Sequence, residues 1–305
     1  MLDWRVPGYR PLRELRPGTV LARHEASGHP VLLRYHPPGP EPALAARRSA
    51  ARALAGLTSP HIASLYEHIE VTLPGQPADA VGAVTVREYV DGASVRALLA
   101  GSPLPPEAAL SLLRAGLLAL QRAHEVGVTH QGYKPENLLV DVQGSARLAD
   151  FAVTPADPPS HDAAHPDSTT DPASTTPATA DDRANDDDRG TDDDRGTDDA
   201  RITADARITD DVRITDDVRI REDIRAAFAV FLACLGARAA KSPQPKLPRR
   251  LRGLAPLGAD GDGPALLAAV EQAGRAGWGP QWSARGEQEL ARRVARARRR
   301  AGAVV

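Results

Sequence analysis

The chain is poor in lysine, sulfur and aromatic rings. Of its 38 basic residues only Lys134, Lys241 and Lys246 are lysines, so nearly every positive charge is a guanidinium. A single cysteine, Cys234, excludes an internal disulfide and a cysteine-based zinc centre. It lies in the apolar run 228–235 and reads as a small buried hydrophobe. No apolar run approaches the roughly 18–20 residues that a membrane-spanning helix needs. The opening MLDWRVPGYR lacks a basic segment followed by an apolar one, so no signal peptide is expected. These absences lead to the expectation of a cytoplasmic protein without a transmembrane segment.

What is present is unevenly placed. The net charge is −2, yet residues 156–223 hold 21 acidic residues and 8 arginines, a local balance of 8 − 21 = −13. The remainder therefore sums to −2 + 13 = +11, and the chain closes on the basic run ARRVARARRRAGAVV. Within the acidic tract a hexapeptide recurs as TDDDRG, TDDARI, TADARI, TDDVRI, TDDVRI and REDIRA. Six residues at about 100° each do not return to one helical face, so the array is read as a slippage duplication. Residues 153–200, rich in Asp, Thr, Pro, Ala and Ser, have too little apolar surface to offset ordering entropy and are expected to be disordered. Asp and His at 161, 162, 165 and 167 fall in this tract, where nothing suggests the outer support that a metal site requires.

The rest alternates between two periods. PLREL and TVLARHE flank RPG as a hairpin, PVLLRYHP reads as a third strand, and 42–57 has helical spacing. HIASLYEHIEV and VGAVTVREYV are strand-like. Ser94 opens a short helix, and LPPEAALSLLRAGLLALQRAHEVG forms a long amphipathic one with Pro106 and Glu107 in its first turn. EDIRAAFAVFLACLGAR is a further helix, whereas 241–285 carries no clear signal.

Between these elements stands HQGYKPEN (130–137), followed by the strand pair LLVDVQGSARLADF, which ends at Asp150 and Phe151. With LTSPHI, REYVDG and the 222–238 helix in the same chain order, these residues resemble bacterial eukaryotic-like serine/threonine protein kinases. The resemblance covers roughly 9–152 and 220–240. It implies a two-lobed α+β protein-kinase-like fold. A small β-rich N-lobe would span 9–90, and a helical C-lobe would run over 91–152 and 222–305. The acidic, repetitive insert 153–221 would replace the activation segment.

The resemblance also implies a site, and the sequence departs from it. Arg34, Glu88, Val90, Asn137 and Asp150 fall at nucleotide-holding positions, with Asn137 and Asp150 at the two that hold magnesium. His130, Gly132 and Lys134 belong to the catalytic loop, but Gly132 replaces the catalytic carboxylate and Gln131 the arginine before it. Arg34 replaces the phosphate-gripping lysine, and planar guanidinium is not interchangeable with ammonium. Ala50 replaces the glutamate that would hold that lysine. Leu32 enlarges the roof of the adenine pocket, and Arg87 puts a charge where an apolar side chain normally faces that pocket. LRPGTVLAR (15–23) is about four residues shorter than a glycine-rich phosphate loop. Asp223 remains, at the position that braces the catalytic-loop backbone. Arg285 resembles a structural arginine of the last helix, without its usual glutamate partner.

The expectation is therefore a catalytically impaired kinase-like protein, a pseudokinase, acting as a regulatory or scaffolding module toward a protein partner. It would bind neither ATP nor magnesium. One alternative is a slow or atypical Mg-ATP-dependent kinase using Lys134, Asn137 and Asp150. Another is a charge-driven interaction protein using the basic run 292–300 on nucleic acid or an anionic surface. Leu290, Val294 and Ala297 share one side there, which fits an ordinary helix better, so nucleic acid is not the expected partner.

Overall fold

The computed structural model describes residues 6–72, 80–151, 217–236 and 247–302. The acidic tract through residue 216, with the Asp and His residues at 161–167 and the stretch 153–200 expected to be disordered, lies outside the described residues.

Five strands form the first layer: β1 (Tyr9–Arg16), β2 (Thr19–His24), β3 (Pro30–His36), β4 (Leu65–Thr72) and β5 (Val81–Glu88). They pair antiparallel in the order β1-β2-β3-β5-β4. Alternation assigns the two faces. Val20, Ala22, Val31, Leu33, Val84 and Val86 share one buried apolar cluster. The intervening residues, among them Leu32, Arg34, His36, Thr85 and Arg87, point to the opposite face. That face meets helix α1 (Glu41–Ala55), whose buried positions Leu44, Arg47, Ala51 and Leu54 recur at helical spacing. Ala50 is off this line, so the position facing the sheet carries Arg47. The strand-like run from 61 becomes strand only at Leu65. Before it, Ile62 bridges Leu148 and Ala63 N–H donates to the Leu148 carbonyl, tying this turn to a different sheet.

The second region begins with β6 (Gly92–Ser94) and α2 (Val95–Leu99), whose first turn is capped by Ser94 Oγ accepting from Ala97 N–H. Helix α3 (Pro106–His124) is buried along most of its length and forms the axis of the main core. Strands β7 (Leu138–Asp141) and β8 (Ala146–Leu148) complete a three-stranded sheet, β6-β7-β8. Asp141 makes the turn between them, its Oδ1 accepting from Gln143 and Ser145 N–H. The next described helix, α4 (217–234), is already helical inside the last TDDVRI copy. It buries Ile224, Phe228, Phe231 and Cys234 in the same core. Burial pushes the Cys234 thiol up to about 12, which makes it an inert hydrophobe.

The stretch without a sequence signal forms α5 (Leu254–Asp260) and α6 (Gly263–Trp278), after a short 3-10 turn at Arg249–Leu251. Leu266 and Val270 anchor α6, and Asp262 caps it by accepting from Ala265 N–H. Helix α7 (Trp282–Gly302) buries Leu290 and Val294 and lies against α3. Arg285 there pairs with Glu107 in the first turn of α3 at 3.0 Å. Among the described residues no helix is long and apolar enough to cross a membrane.

Candidate functional site

The loop 128–137 is held by contacts made in three directions. Asp223 of α4 is almost fully buried and accepts from the backbone N–H of His130 at 2.6 Å and of Gln131 at 2.7 Å. Its Oδ2 also lies 3.0 Å from His124 Nε2 at the end of α3. Two backbone donors would otherwise be stranded where Gln131 takes a left-handed φ of 52°, and the carboxylate satisfies both. His130 is buried, with Nε2 at 3.0 Å from the Ala149 carbonyl and Nδ1 at 3.2 Å from Gly132 N–H. That pairing assigns the neutral tautomer with its proton on Nε2. Burial pushes its pKa down, and its ring packs 4.6 Å from that of Phe151. Asn137 Nδ2 donates to the Gly132 carbonyl at 3.0 Å. Its Oδ1 is buried with no hydrogen-bond partner among the described residues.

At Gly132 a built Cβ would have no neighbour closer than 3.8 Å, so there is room for a side chain at that position. Lys134 is exposed. Glu88 is occupied by Arg147, and its Oε2 accepts from Ser64 N–H. Val90 packs with Ala63 and Ala149. Leu32 is buried beside Arg87 in the β3–β5 register.

The charges converge on Asp150. Its side chain is 4% exposed, and its φ of 60° is a conformation that aspartate tolerates better than most residues. Arg16 Nη2 lies 2.6 Å and Arg34 Nη1 2.7 Å from Oδ2, while Arg87 Nε lies 3.2 Å from Oδ1. The last pair is close enough for Coulomb attraction but not aligned as a hydrogen bond, and among the described residues neither atom has one.

Three elements bring these arginines together. Pro17 and Gly18, the latter at φ 71°, turn β1 into β2 in two residues. Arg16 is left at the turn with Nε on Thr19 Oγ1 at 3.2 Å. Arg34 and Arg87 sit on the inward face of β3 and β5. Burial alone would raise the Asp150 carboxyl, but Arg87, Arg34 and Arg16 outweigh it and hold it down to about 2. Arg87 moves down as well, chiefly from burial and then against its two neighbouring arginines, although an arginine remains charged in any such setting. Behind the cluster is a cavity of ≈ 40 Å³ lined by Arg34, His36, Thr85, Arg87, Asp150 and Phe151, among others.

The resemblance implies a magnesium ion at Asp150, and the residues do not fit one. Magnesium requires near-octahedral oxygen ligation at about 2.0–2.1 Å. Here Oδ2 already faces two guanidiniums and Oδ1 a third, so an ion would enter beside three like charges. Among the described residues no group of three or more His, Cys, Asp or Glu side chains could hold a metal ion.

Of the residues singled out from sequence, Arg34, Arg87 and Asp150 meet, and His130, Gly132 and Asn137 form a second, adjoining group. Arg16 was missed. Its signal was the shortened PG turn, which leaves the preceding side chain next to the sheet's inner face.

Comparison with known proteins gives the same direction. No protein-family model matches the chain. A segment of 119 residues is 34% identical to serine/threonine-protein kinase PknL of Mycobacterium tuberculosis (strain ATCC 25618 / H37Rv), covering 39% of this chain and 28% of that protein. The chain is 39% identical over 101 residues to serine/threonine-protein kinase PknD of the same strain, covering 33% of this chain and 14% of PknD. It is 31% identical over 111 residues to serine/threonine-protein kinase PknB of Mycobacterium leprae (strain TN), covering 36% of this chain and 17% of PknB. The chain thus matches less than a third of the length of each of these relatives. It is partly homologous to bacterial serine/threonine protein kinases, and the described fold is of the α+β protein-kinase-like kind.

Proposed function

We propose that this protein is a pseudokinase, a binding module that keeps the frame of a protein kinase and does not transfer phosphate. Residues 9–90 form its N-lobe, 91–152 with 222–305 its C-lobe, and 153–221 stand in the place of the activation segment. The observation that carries the reading is the engagement of both Asp150 oxygens by Arg16, Arg34 and Arg87. Phosphoryl transfer depends on positioned phosphates, metal-bridged charge neutralisation and a carboxylate that orients the hydroxyl. The metal position is taken up by the chain's own guanidiniums, and at Gly132 no side chain exists to orient a nucleophile.

The braces that hold the loop remain. Asp223 fixes the backbone of His130 and Gln131, and His130 supports Ala149 and Phe151. Such contacts maintain a shaped surface without contributing to chemistry, which fits a regulatory or scaffolding role toward a protein partner.

One observation favours a slow Mg-ATP-dependent kinase instead. Asn137 Oδ1 is buried with no hydrogen-bond partner among the described residues, as an acceptor poised for a cation would be. That reading requires Arg16, Arg34 and Arg87 to leave Asp150.

The test is transfer of labelled phosphate from ATP with magnesium to the protein itself and to a generic basic substrate, alongside thermal unfolding. The proposal expects no transfer and no magnesium-dependent rise in the midpoint, since ligand bound to the native state must raise it. Transfer that disappears in Asp150→Asn would sink the proposal.

A further inference from the structure

We infer that Arg16, Arg34 and Arg87 form a metal-independent site for a compact phosphate-class oxyanion, with Asp150 as its internal competitor. The inference stands on the arginine cluster itself and does not require that phosphotransfer be lost.

Charge is the first reason. Three guanidiniums against one carboxylate leave +3 − 1 = +2 in one small region. Glu88 also acts on Arg87, but it is itself paired with Arg147, which limits how far it offsets this charge. Donor capacity is the second. Each guanidinium carries five N–H bonds in a planar fork suited to phosphate oxygens. Among the described residues only Nε and Nη2 of Arg16, Nη1 of Arg34 and Nε of Arg87 face an acceptor side chain. The remaining donors can receive oxygens without breaking an existing contact.

Access and burial are the third. Side chains of Arg16 and Arg34 are 43% and 36% exposed, so an anion reaches them from solvent. Arg87 is nine-tenths buried and lines the cavity, and its Nε has no hydrogen bond among the described residues. A site that combines an open cationic mouth with a buried, incompletely paired guanidinium attracts anions from a distance and strengthens the contact once water is displaced.

The ligand is compact. Leu32 is buried beside Arg87, at the position where the kinase resemblance puts the roof over an adenine ring, so phosphate oxygens gain from this site and a nucleobase does not. Pyrophosphate and the polyphosphate of a nucleotide share the recognised chemistry, and the measurements below separate them.

The experiment is isothermal titration of the full chain with inorganic pyrophosphate in EDTA, repeated with ATP in EDTA and with pyrophosphate plus excess magnesium. Pyrophosphate should bind without metal. ATP should bind no tighter, and magnesium should weaken binding by neutralising the ligand. Arg16→Gln and Arg34→Gln should each weaken binding by about tenfold or more, as loss of one close charge pair does. Asp150→Asn should tighten it by about tenfold or more, because a like charge is removed from the site. A nucleotide-magnesium site predicts the opposite sign for that substitution.

Circular dichroism establishes that each variant is folded. Should Asp150→Asn fail that check, the two glutamine variants and the magnesium dependence still decide. Absence of pyrophosphate binding in the wild type, binding that requires magnesium, or indifference to both glutamine substitutions would overturn the inference. Absence of binding, or indifference to the glutamine substitutions, leaves the pseudokinase reading untouched; binding that requires magnesium would count against both, and phosphate transfer against the pseudokinase reading alone.

Discussion

A buried carboxylate can be held by contacts of two different kinds, and Asp223 and Asp150 illustrate them. Asp223 is matched by directed hydrogen bonds, two from backbone N–H groups. Replacing it with alanine strands both donors in a partly dry turn. Asp223→Ala should lower unfolding free energy by about 3 kcal/mol, at about 1.5–3 kcal/mol for each charge-assisted bond less relaxation, measured by urea denaturation. A loss below about 1 kcal/mol would mean that water replaces the carboxylate and the brace is dispensable.

Asp150 is matched by net charge and less by alignment. Its carboxyl is depressed to about 2 from an ordinary 3.8, so its contribution is present above pH 4 and disappears as pH falls toward 2. Gly132 presents the reverse case, a position with space and no group. Gly132→Asp should leave stability within about 0.5 kcal/mol, as substitutions that meet no neighbour do. On the proposed pseudokinase reading it should also give no phosphotransfer, because restoring one carboxylate does not free Asp150. Activity regained in a radiolabel assay would show that the base alone was missing.

At the scale of elements, close approach between helices is set by small residues. A Cβ at Gly286 of α7 would lie 2.1 Å from Ser111 Oγ of α3, so the two helices pass with no room for a side chain. Gly286→Val should force them apart and cost about 1–3 kcal/mol as an overpacked contact, read from the denaturant midpoint. An unchanged midpoint would mean that the α3–α7 contact can shift without loss. The basic face of α7 is partly used by the chain itself. Arg293 donates to Ser102 and Pro103 carbonyls, and Arg298 pairs with Asp91. These contacts account for part of that charge as packing, without invoking nucleic acid.

For the whole molecule, four histidines set the response to acid. Burial pushes His36, His61, His68 and His130 down, His36 to about 3. Arg34, Arg47 and His68 reinforce the shift at His36, and Asp150 opposes it. An unfolded histidine takes up its proton near pH 6.5, whereas folded His36 stays neutral until about pH 3. Stability is therefore complete above about pH 6.5 and is lost as pH falls through the window between. His36 alone should cost about 2 kcal/mol between pH 7 and pH 5, at 1.36 kcal/mol per pH unit below 6.5. His36→Gln, which can keep the hydrogen bond to Thr85, should flatten this part of the stability curve. A slope identical to wild type would remove His36 from the account.

Much of this was legible along the chain, and the reason is local. Period-two alternation marks β2, β3 and β5, helical spacing with Pro106 and Glu107 marks α3, and Ser94 marks the start of α2. Each is a short-range consequence of backbone geometry. Helices α5 and α6 were not legible, since frequent glycines dilute the apolar spacing and only burial of Leu266 and Val270 in the shared core makes it consequential. The glycine at 132, the arginine at 34 and the two-residue turn at Pro17–Gly18 were determined by sequence alone, because each is the identity of one or two residues at one place. The meeting of Arg16, Arg34 and Arg87 on Asp150 was decided only by tertiary structure. Arg16 and Asp150 are 134 residues apart, and strand parity says which side chains share a face without saying what that face will meet. Coulomb attraction across that distance in sequence exists only after the sheet and the 128–151 loop region have packed together.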